Sequence, residues 1–180
     1  MIKNNNWFSL IELLVVIVII GIIVVWASRI DFNPQIDKQN FDMFTNNVFT
    51  SIETVRNNAL LGKWVGSGSI FTHPEKWVIK LSSVWTGSIQ AEYQSGTNIY
   101  PLWDFRVDFV NQNTKISELK CKSIDSSSHT GSLIDIEISG KTMSFSGCSN
   151  DQKILQIKTE YKNFHKVIEV NSITWLIEKL

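Results

Sequence analysis

The side chains that could do chemistry are few and scattered along the chain. His73, His129 and His165 lie in separate segments, and none has a cysteine, an aspartate or a second histidine at the spacing of metal ligands. Ser128 and His129 near Asp125 have the composition of a catalytic triad, but they lie in a polar stretch that lacks a nucleophile elbow. We therefore predict no catalytic centre, no metal site and no cofactor.

Composition restricts the function further. The chain has 180 residues, enough for one domain and an anchor, and its 17 Lys and Arg balance its 17 Asp and Glu. This balance does not suggest a nucleic-acid-binding protein, although it is compatible with a local basic patch. Two cysteines, Cys121 and Cys148, are too few for a disulfide scaffold or a zinc ribbon. They fit either one disulfide outside the cytoplasm or two small buried apolar side chains.

The elements that must position any site begin with an apolar segment. Residues 8–27 read FSLIELLVVIVIIGIIVVWA, with Glu12 as the single charge. Twenty helical residues span about 30 Å, the thickness of a bilayer's hydrocarbon core, so this segment predicts a transmembrane helix. A carboxylate inside a bilayer costs a few kcal/mol, so Glu12 needs either a partner or access to water at the interface.

The string from Phe8 to Val16, FSLIELLVV, resembles the prepilin cleavage and methylation motif of type IV pilin-like proteins. The resemblance implies that a membrane peptidase cuts between Trp7 and Phe8 and that the new Phe8 amine is methylated. It also implies that Glu12 pairs with the N-terminal amine of a neighbouring subunit during assembly. A buried carboxylate becomes tolerable when it meets an opposite charge in this way.

Trp7 departs from the motif, which has a small residue, nearly always glycine, before the cut. Either the protein is Trp-rich and keeps an uncleaved leader, or its tryptophans are UGA-encoded glycines, as in lineages that read UGA as glycine. The chain has 7 Trp, 3 Tyr and only 9 Gly, which favours the second hypothesis. Trp64, Trp77 and Trp175 also lie at places in the sequence that suit glycine.

The remaining sequence predicts one more helix and then strands. Apolar residues recur at steps of three and four from Phe41 to Ala59, and Gly62 predicts the end of this helix. The stretch from Ser51 to Gly62 is similar to that of H-type pseudopilins and FimT-like pilins. From residue 66 the period becomes two, and Leu133–Ser139 followed by Gly140 predicts a hairpin. These patterns predict an α+β fold, and the resemblance implies a pilin-like one, in which a long N-terminal transmembrane and amphipathic helix packs on an antiparallel β-sheet head.

These observations predict four regions. They are a cleaved leader (1–7), a transmembrane helix (8–28), an amphipathic continuation of that helix (29–62) and a β-rich head (63–180). A head outside the cytoplasm favours a Cys121–Cys148 disulfide, which would contribute about 3 kcal/mol by closing its loop.

The expected function is a minor pilin or pseudopilin, a structural subunit of a type IV pilus or type II secretion filament, and not an enzyme. The resemblance implies a cell-membrane location with the head outside the cytoplasm. Its expected partners are other pilin subunits, the prepilin peptidase and the inner-membrane assembly platform. Binding to nucleic acid is expected only if the pilus takes up DNA. The alternative is an uncleaved, membrane-anchored module that binds DNA, a glycan or a protein.

Overall fold

The computed structural model has two helices followed by twelve strands within the residues that it describes. The chain divides into two compact units, with the boundary between Asp37 and Lys38. The described residues are 10–27, 33–67, 70–84, 88–108, 114–125 and 127–180. The elements are α1 (Leu10–Ala27), α2 (Asn33–Leu60), β1 (Val65–Ser67), β2 (Ile70–Thr72), β3 (Lys76–Ser82), β4 (Ser88–Ser95), β5 (Asn98–Asp108), β6 (Thr114–Ser123), β7 (Ser128–Gly131), β8 (Leu133–Ser139), β9 (Thr142–Ser146), β10 (Gln152–Tyr161), β11 (Phe164–Asn171) and β12 (Ile177–Lys179).

The N-terminal helix α1 is apolar on every side. Its large apolar side chains, from Leu10 to Trp26, are between 43% and 81% exposed. Glu12 is its only charged residue and lies in the first turn. Such a helix has no face of its own to bury, so its apolar surface is available to a partner.

The prediction of a long N-terminal transmembrane helix is wrong. The described helical residues form two separate helices, and neither combines the length and the apolarity that crossing a bilayer requires. The described part of α1 has 18 residues, which rise by about 27 Å, whereas a hydrocarbon core is about 30 Å thick.

The second helix supplies one wall of the core. Its buried face is the one that the spacing of apolar residues predicts, so that prediction is confirmed. After the helix, Gly62 takes a φ of 60°, and the Lys63 amide donates to the Asn58 carbonyl at 2.9 Å. Glycine tolerates this left-handed conformation and lets the chain leave the helix, as predicted. The five large side chains on the buried face are Phe41, Phe44, Val48, Ile52 and Val55.

Ten of the described strands form two antiparallel sheets. Sheet I has the order β5-β4-β3-β8-β9, and sheet II has the order β12-β11-β10-β6-β7. Strands β1 and β2 pair separately. The chain builds β3 to β5 in sheet I, passes to β6 and β7 in sheet II, returns for β8 and β9, and ends with β10 to β12 in sheet II. The central pairs β3–β8 and β6–β10 therefore join segments that are distant in sequence.

The predicted hairpin after residue 133 is confirmed as β8 and β9. Ile134, Ile136 and Ile138 are fully buried, while the side chains between them point to the other face of sheet I. Gly140 takes a φ of 57° in the turn, and Ser139 pairs with Thr142. The alternation of apolar and polar residues thus sets which face of this hairpin enters the core.

One continuous core joins α2 to both sheets. On the sheet II side, the hydroxyl oxygens of Thr45 and Thr159 are 3.0 Å apart, so two buried polar groups satisfy each other. At the rim, Lys166 Nζ donates to Asp42 Oδ1 at 2.6 Å, and this hydrogen bond lowers the pKa of the Asp42 carboxyl. These contacts attach the helix to strands β10 and β11.

The predicted fold class therefore needs correction. The described residues form two helices, two five-stranded antiparallel sheets and the separate β1–β2 pair, instead of one long helix covering a single sheet head. The alternating pattern of each strand predicts its faces but not its neighbours, and the division into two sheets depends on distant pairings.

Trp175 has a backbone conformation that suits glycine. It takes a φ of 61° in the turn between β11 and β12, where its amide donates to the Asn171 carbonyl at 2.9 Å. Its own carbonyl accepts a hydrogen bond of 2.8 Å from Arg56 Nη1 of α2. The turn is thus held from both sides in a conformation that costs a residue with a Cβ about 1–2 kcal/mol.

We expect Trp175→Gly to be more stable than Trp175→Ala by about 1 kcal/mol, because both variants lose the indole but only glycine adopts the positive φ without strain. Urea unfolding of the full chain measures the difference.

Trp77 provides the matched control, because it is buried in strand β3. There, Trp77→Gly should be less stable than Trp77→Ala by about 0.5–1 kcal/mol, the usual cost of glycine within a strand. The same order of stability at both positions would contradict a special requirement at position 175.

Candidate functional site

The N-terminal motif lies only partly within the described residues. Trp7 and Phe8, the predicted cleavage and methylation positions, lie outside them. Glu12 lies in the first turn of α1 and is exposed. A carboxylate in a first turn interacts favourably with the unpaired amides and the dipole of the helix. Glu12 is therefore available to a group from outside the chain.

Cys121 and Cys148 form a disulfide, with their Cα atoms 5.9 Å apart. Cys121 is a fully buried residue of β6, in sheet II, whereas Cys148 follows β9, in sheet I. The bond therefore ties the two sheets together across a sequence separation of 27 residues.

The three histidines lie on different strands or loops of the described structure. Within them, no group of three or more His, Cys, Asp or Glu side chains is arranged to hold a metal ion. His73 packs edge-on against Trp64, with 5.8 Å between ring centroids. Ser128 and His129 are adjacent on strand β7, so their side chains point to opposite faces of sheet II.

A charged groove that sequence analysis missed lies on the outer face of sheet I. We call it the carboxylate groove and define it by Lys76 and Lys80 of β3, Glu92 of β4, and Asp135 and Glu137 of β8. Its cavity has a volume of about 180 Å³. Strand β3 lies between β4 and β8, so the three strands bring the five charged side chains together.

Both lysines of the carboxylate groove are already paired with glutamates. Lys76 Nζ lies 2.7 Å from Glu137 Oε2, and Lys80 Nζ lies 2.8 Å from Glu92 Oε2. Asp135 forms no ion pair with another described residue, although it faces Lys80 in the register of β3 and β8. Among the described side chains that define the groove, three carboxylates therefore accompany two ammonium groups, an excess of one negative charge.

Asp135 is the unusual member of this group. Its Oδ1 atom is buried and has no hydrogen-bond partner in the described part of the chain. Burial raises the pKa of its carboxyl, and the nearby Glu137 and Glu92 add to this effect, while Lys80 opposes it. A desolvated acceptor without a donor lowers the stability of the fold, so this position is not optimised for stability.

No sequence signal could have found the groove. Asp135 and Glu137 appear in the sequence as the polar positions of an alternating strand, which usually point to water. Only the pairing of β8 with β3, more than 50 residues earlier, places them beside the two lysines.

Comparison with known proteins assigns no function, so the function has to be inferred from the motif and the structure. No protein-family model, no curated protein and no solved structure matches the chain.

Loss of the disulfide should lower the free energy of unfolding by about 3 kcal/mol, because the closed loop restricts the unfolded chain. The variant Cys121→Ala with Cys148→Ala tests this in urea unfolding of the full chain. The reduced native chain is the control and should lose nearly as much stability. Equal stability of the oxidised native chain and the double variant would contradict the expectation.

Replacing Asp135 by asparagine should stabilise the fold at pH 7 by about 1 kcal/mol, because a desolvated charge is removed. The raised pKa means that the folded state keeps its proton to a higher pH than the unfolded state does. The free energy of unfolding therefore falls as pH rises through the folded-state pKa, and the gain from Asp135→Asn should disappear below about pH 4.

Glu137→Gln is the matched control, because it neutralises a carboxylate that already has Lys76 as its partner. It should give no gain at pH 7. Unfolding in urea at pH 4 and pH 7 measures both variants. A loss of stability at pH 7 in Asp135→Asn would show that Asp135 has a stabilising partner.

Proposed function

We propose that the protein is a structural subunit of a filament, a minor pilin or pseudopilin of a type IV pilus or a type II secretion filament. The observation that carries the proposal is the string from Phe8 to Val16, with Glu12 as the fifth residue after the proposed cleavage point. Cleavage between Trp7 and Phe8 would create an amine that can pair with the Glu12 carboxylate of a neighbouring subunit.

The exposed surface of α1 supports polymerisation through this helix. An isolated helix that is apolar on all sides leaves its side chains in water, and packing against the same helix of other subunits buries them. Such packing leaves the single carboxylate, Glu12, in apolar surroundings, so an amine partner offsets the cost of its burial.

The two sheets support a role in contact rather than in catalysis. Their inner faces are filled by the core, and their outer faces carry charged side chains on a framework tied by the Cys121–Cys148 disulfide. A disulfide persists in an oxidising space, which agrees with a head outside the cytoplasm at the cell membrane. The proposed partners are other pilin subunits, the prepilin peptidase and the inner-membrane assembly platform.

The proposal includes UGA-encoded glycine at position 7, where the motif has glycine. The positive φ of Trp175 supports this hypothesis at a second position. The same argument does not apply to Trp77, because its indole is buried in the core.

Mass spectrometry of the protein purified from its own cells tests the proposal. We expect an N-terminal peptide that begins with N-methylated Phe8. Peptides covering positions 64 and 175 should have masses that correspond to glycine. A chain that begins at Met1 or Ile2 and retains Trp7 would contradict processing and would favour the uncleaved binding module. A methylated Phe8 together with tryptophan masses at positions 64 and 175 would support the proposed filament subunit and contradict the recoding hypothesis at those two positions.

A further inference from the structure

The outer face of sheet II carries lysines that form no ion pair with another described residue. Along β6 and β10, buried residues alternate with polar ones, which places Lys120, Lys122 and Lys158 on the face away from the core. None of the three ammonium groups has an ion pair with another described residue. We call these three residues the lysine face.

Among the described residues, the carboxylates on the strands of these lysines are Glu118 and Glu160. Glu118 faces Lys158 across β6 and β10, whereas Lys120 faces Gln156. Glu160 pairs with Lys115 at 3.6 Å, and Glu169 of β11 accepts a hydrogen bond from the neutral Gln156 amide at 2.8 Å, which leaves its negative charge in place. Glu178 lies on the edge strand β12, two strands away from β10. The lysine face therefore has a local excess of positive charge.

The carboxylate groove has the opposite imbalance. Its two lysines are paired with Glu92 and Glu137, and the buried Oδ1 of Asp135 has no donor among the described residues. An ammonium group brought into the cavity of about 180 Å³, which Asp135 lines, would supply the missing charge beside its carboxylate.

The groove and the lysine face cannot meet within one copy of the chain. The groove is on the outer face of sheet I and the lysine face is on the outer face of sheet II, while the inner faces of both sheets contribute to the shared core. A complementary pair of surfaces at different places on one molecule joins successive copies head to tail.

We propose that the lysine face of one copy docks into the carboxylate groove of the next copy, with a lysine ammonium group donating to Asp135. This inference rests on the proposed filament function. It adds to that function a contact between the heads of successive subunits. A heterologous contact of this kind does not close on itself with two copies, so it extends into an open array, as a filament requires. Between exposed surfaces the attraction steers and orients the subunits and weakens with salt.

A zero-length carbodiimide cross-link tests the contact on the full chain in its own filaments, because the reagent joins a carboxylate to an amine only where they touch. A mixture of isotope-labelled and unlabelled chains separates links between copies from links within one copy. We expect a mixed-isotope peptide pair that joins Asp135 to Lys120, Lys122 or Lys158. Raising the salt concentration before cross-linking should reduce its yield.

The same experiment contains the test of the filament itself, since the reagent can also join Glu12 to the Phe8 amine of a neighbour. A Glu12–Phe8 link between copies without a link at Asp135 would overturn the head contact and leave the filament proposal intact. Absence of both links would overturn both proposals. Links from Asp135 only to lysines of a different protein would show that this protein, and not a second copy of the chain, occupies the groove.

Charge variants make the test specific. Asp135→Asn should abolish the link at Asp135 without unfolding the chain, and Glu178→Gln, outside the contact, should leave it unchanged. Asp135→Lys and Lys158→Glu should each reduce the sedimentable polymer, and the two changes combined in one chain should restore it. Failure of the combined variant to recover polymer, when its folded fraction equals that of the native chain, would contradict the pairing.

Discussion

The apolar stripe of α2 is the feature on which the rest of the described fold depends. The chain covers it with two sheets that it visits alternately. Between the strands of each central pair, β3–β8 and β6–β10, the chain contributes strands to the other sheet. Closing these distant pairs has an entropic cost that burial of the core must offset, and the Cys121–Cys148 bond between the sheets reduces that cost.

Once the inner faces are committed to the core, the polar positions of the same strands must point outward. On sheet I this alternation gathers three carboxylates and two lysines into a groove, and on sheet II it presents three lysines without ion pairs. The charges balance over the chain, but they do not balance within the described part of the groove or among the three lysines. A desolvated Asp135 is costly for an isolated head, and such a cost is common where a surface awaits a partner.

Tryptophan content connects the N-terminal motif with the C-terminal turn. The motif departs from its usual form at Trp7, where glycine is the usual residue, and the turn at Trp175 adopts a conformation that favours glycine. Steric repulsion between Cβ and the backbone explains the second preference without reference to any family. Trp77 is different, because its side chain fills space in the core, so each tryptophan has to be judged by its own surroundings.

Local patterns in the sequence determined the buried face of α2, the end of that helix near Gly62, and the β8–β9 hairpin with its inward isoleucines. Each depends on residues within one or two turns of helix or one strand, where periodicity and backbone preference act directly. The division into two sheets and the carboxylate groove were decided only in the tertiary structure. Both depend on which distant strands pair, and pairing follows from the shared burial of many side chains rather than from the type of any one residue.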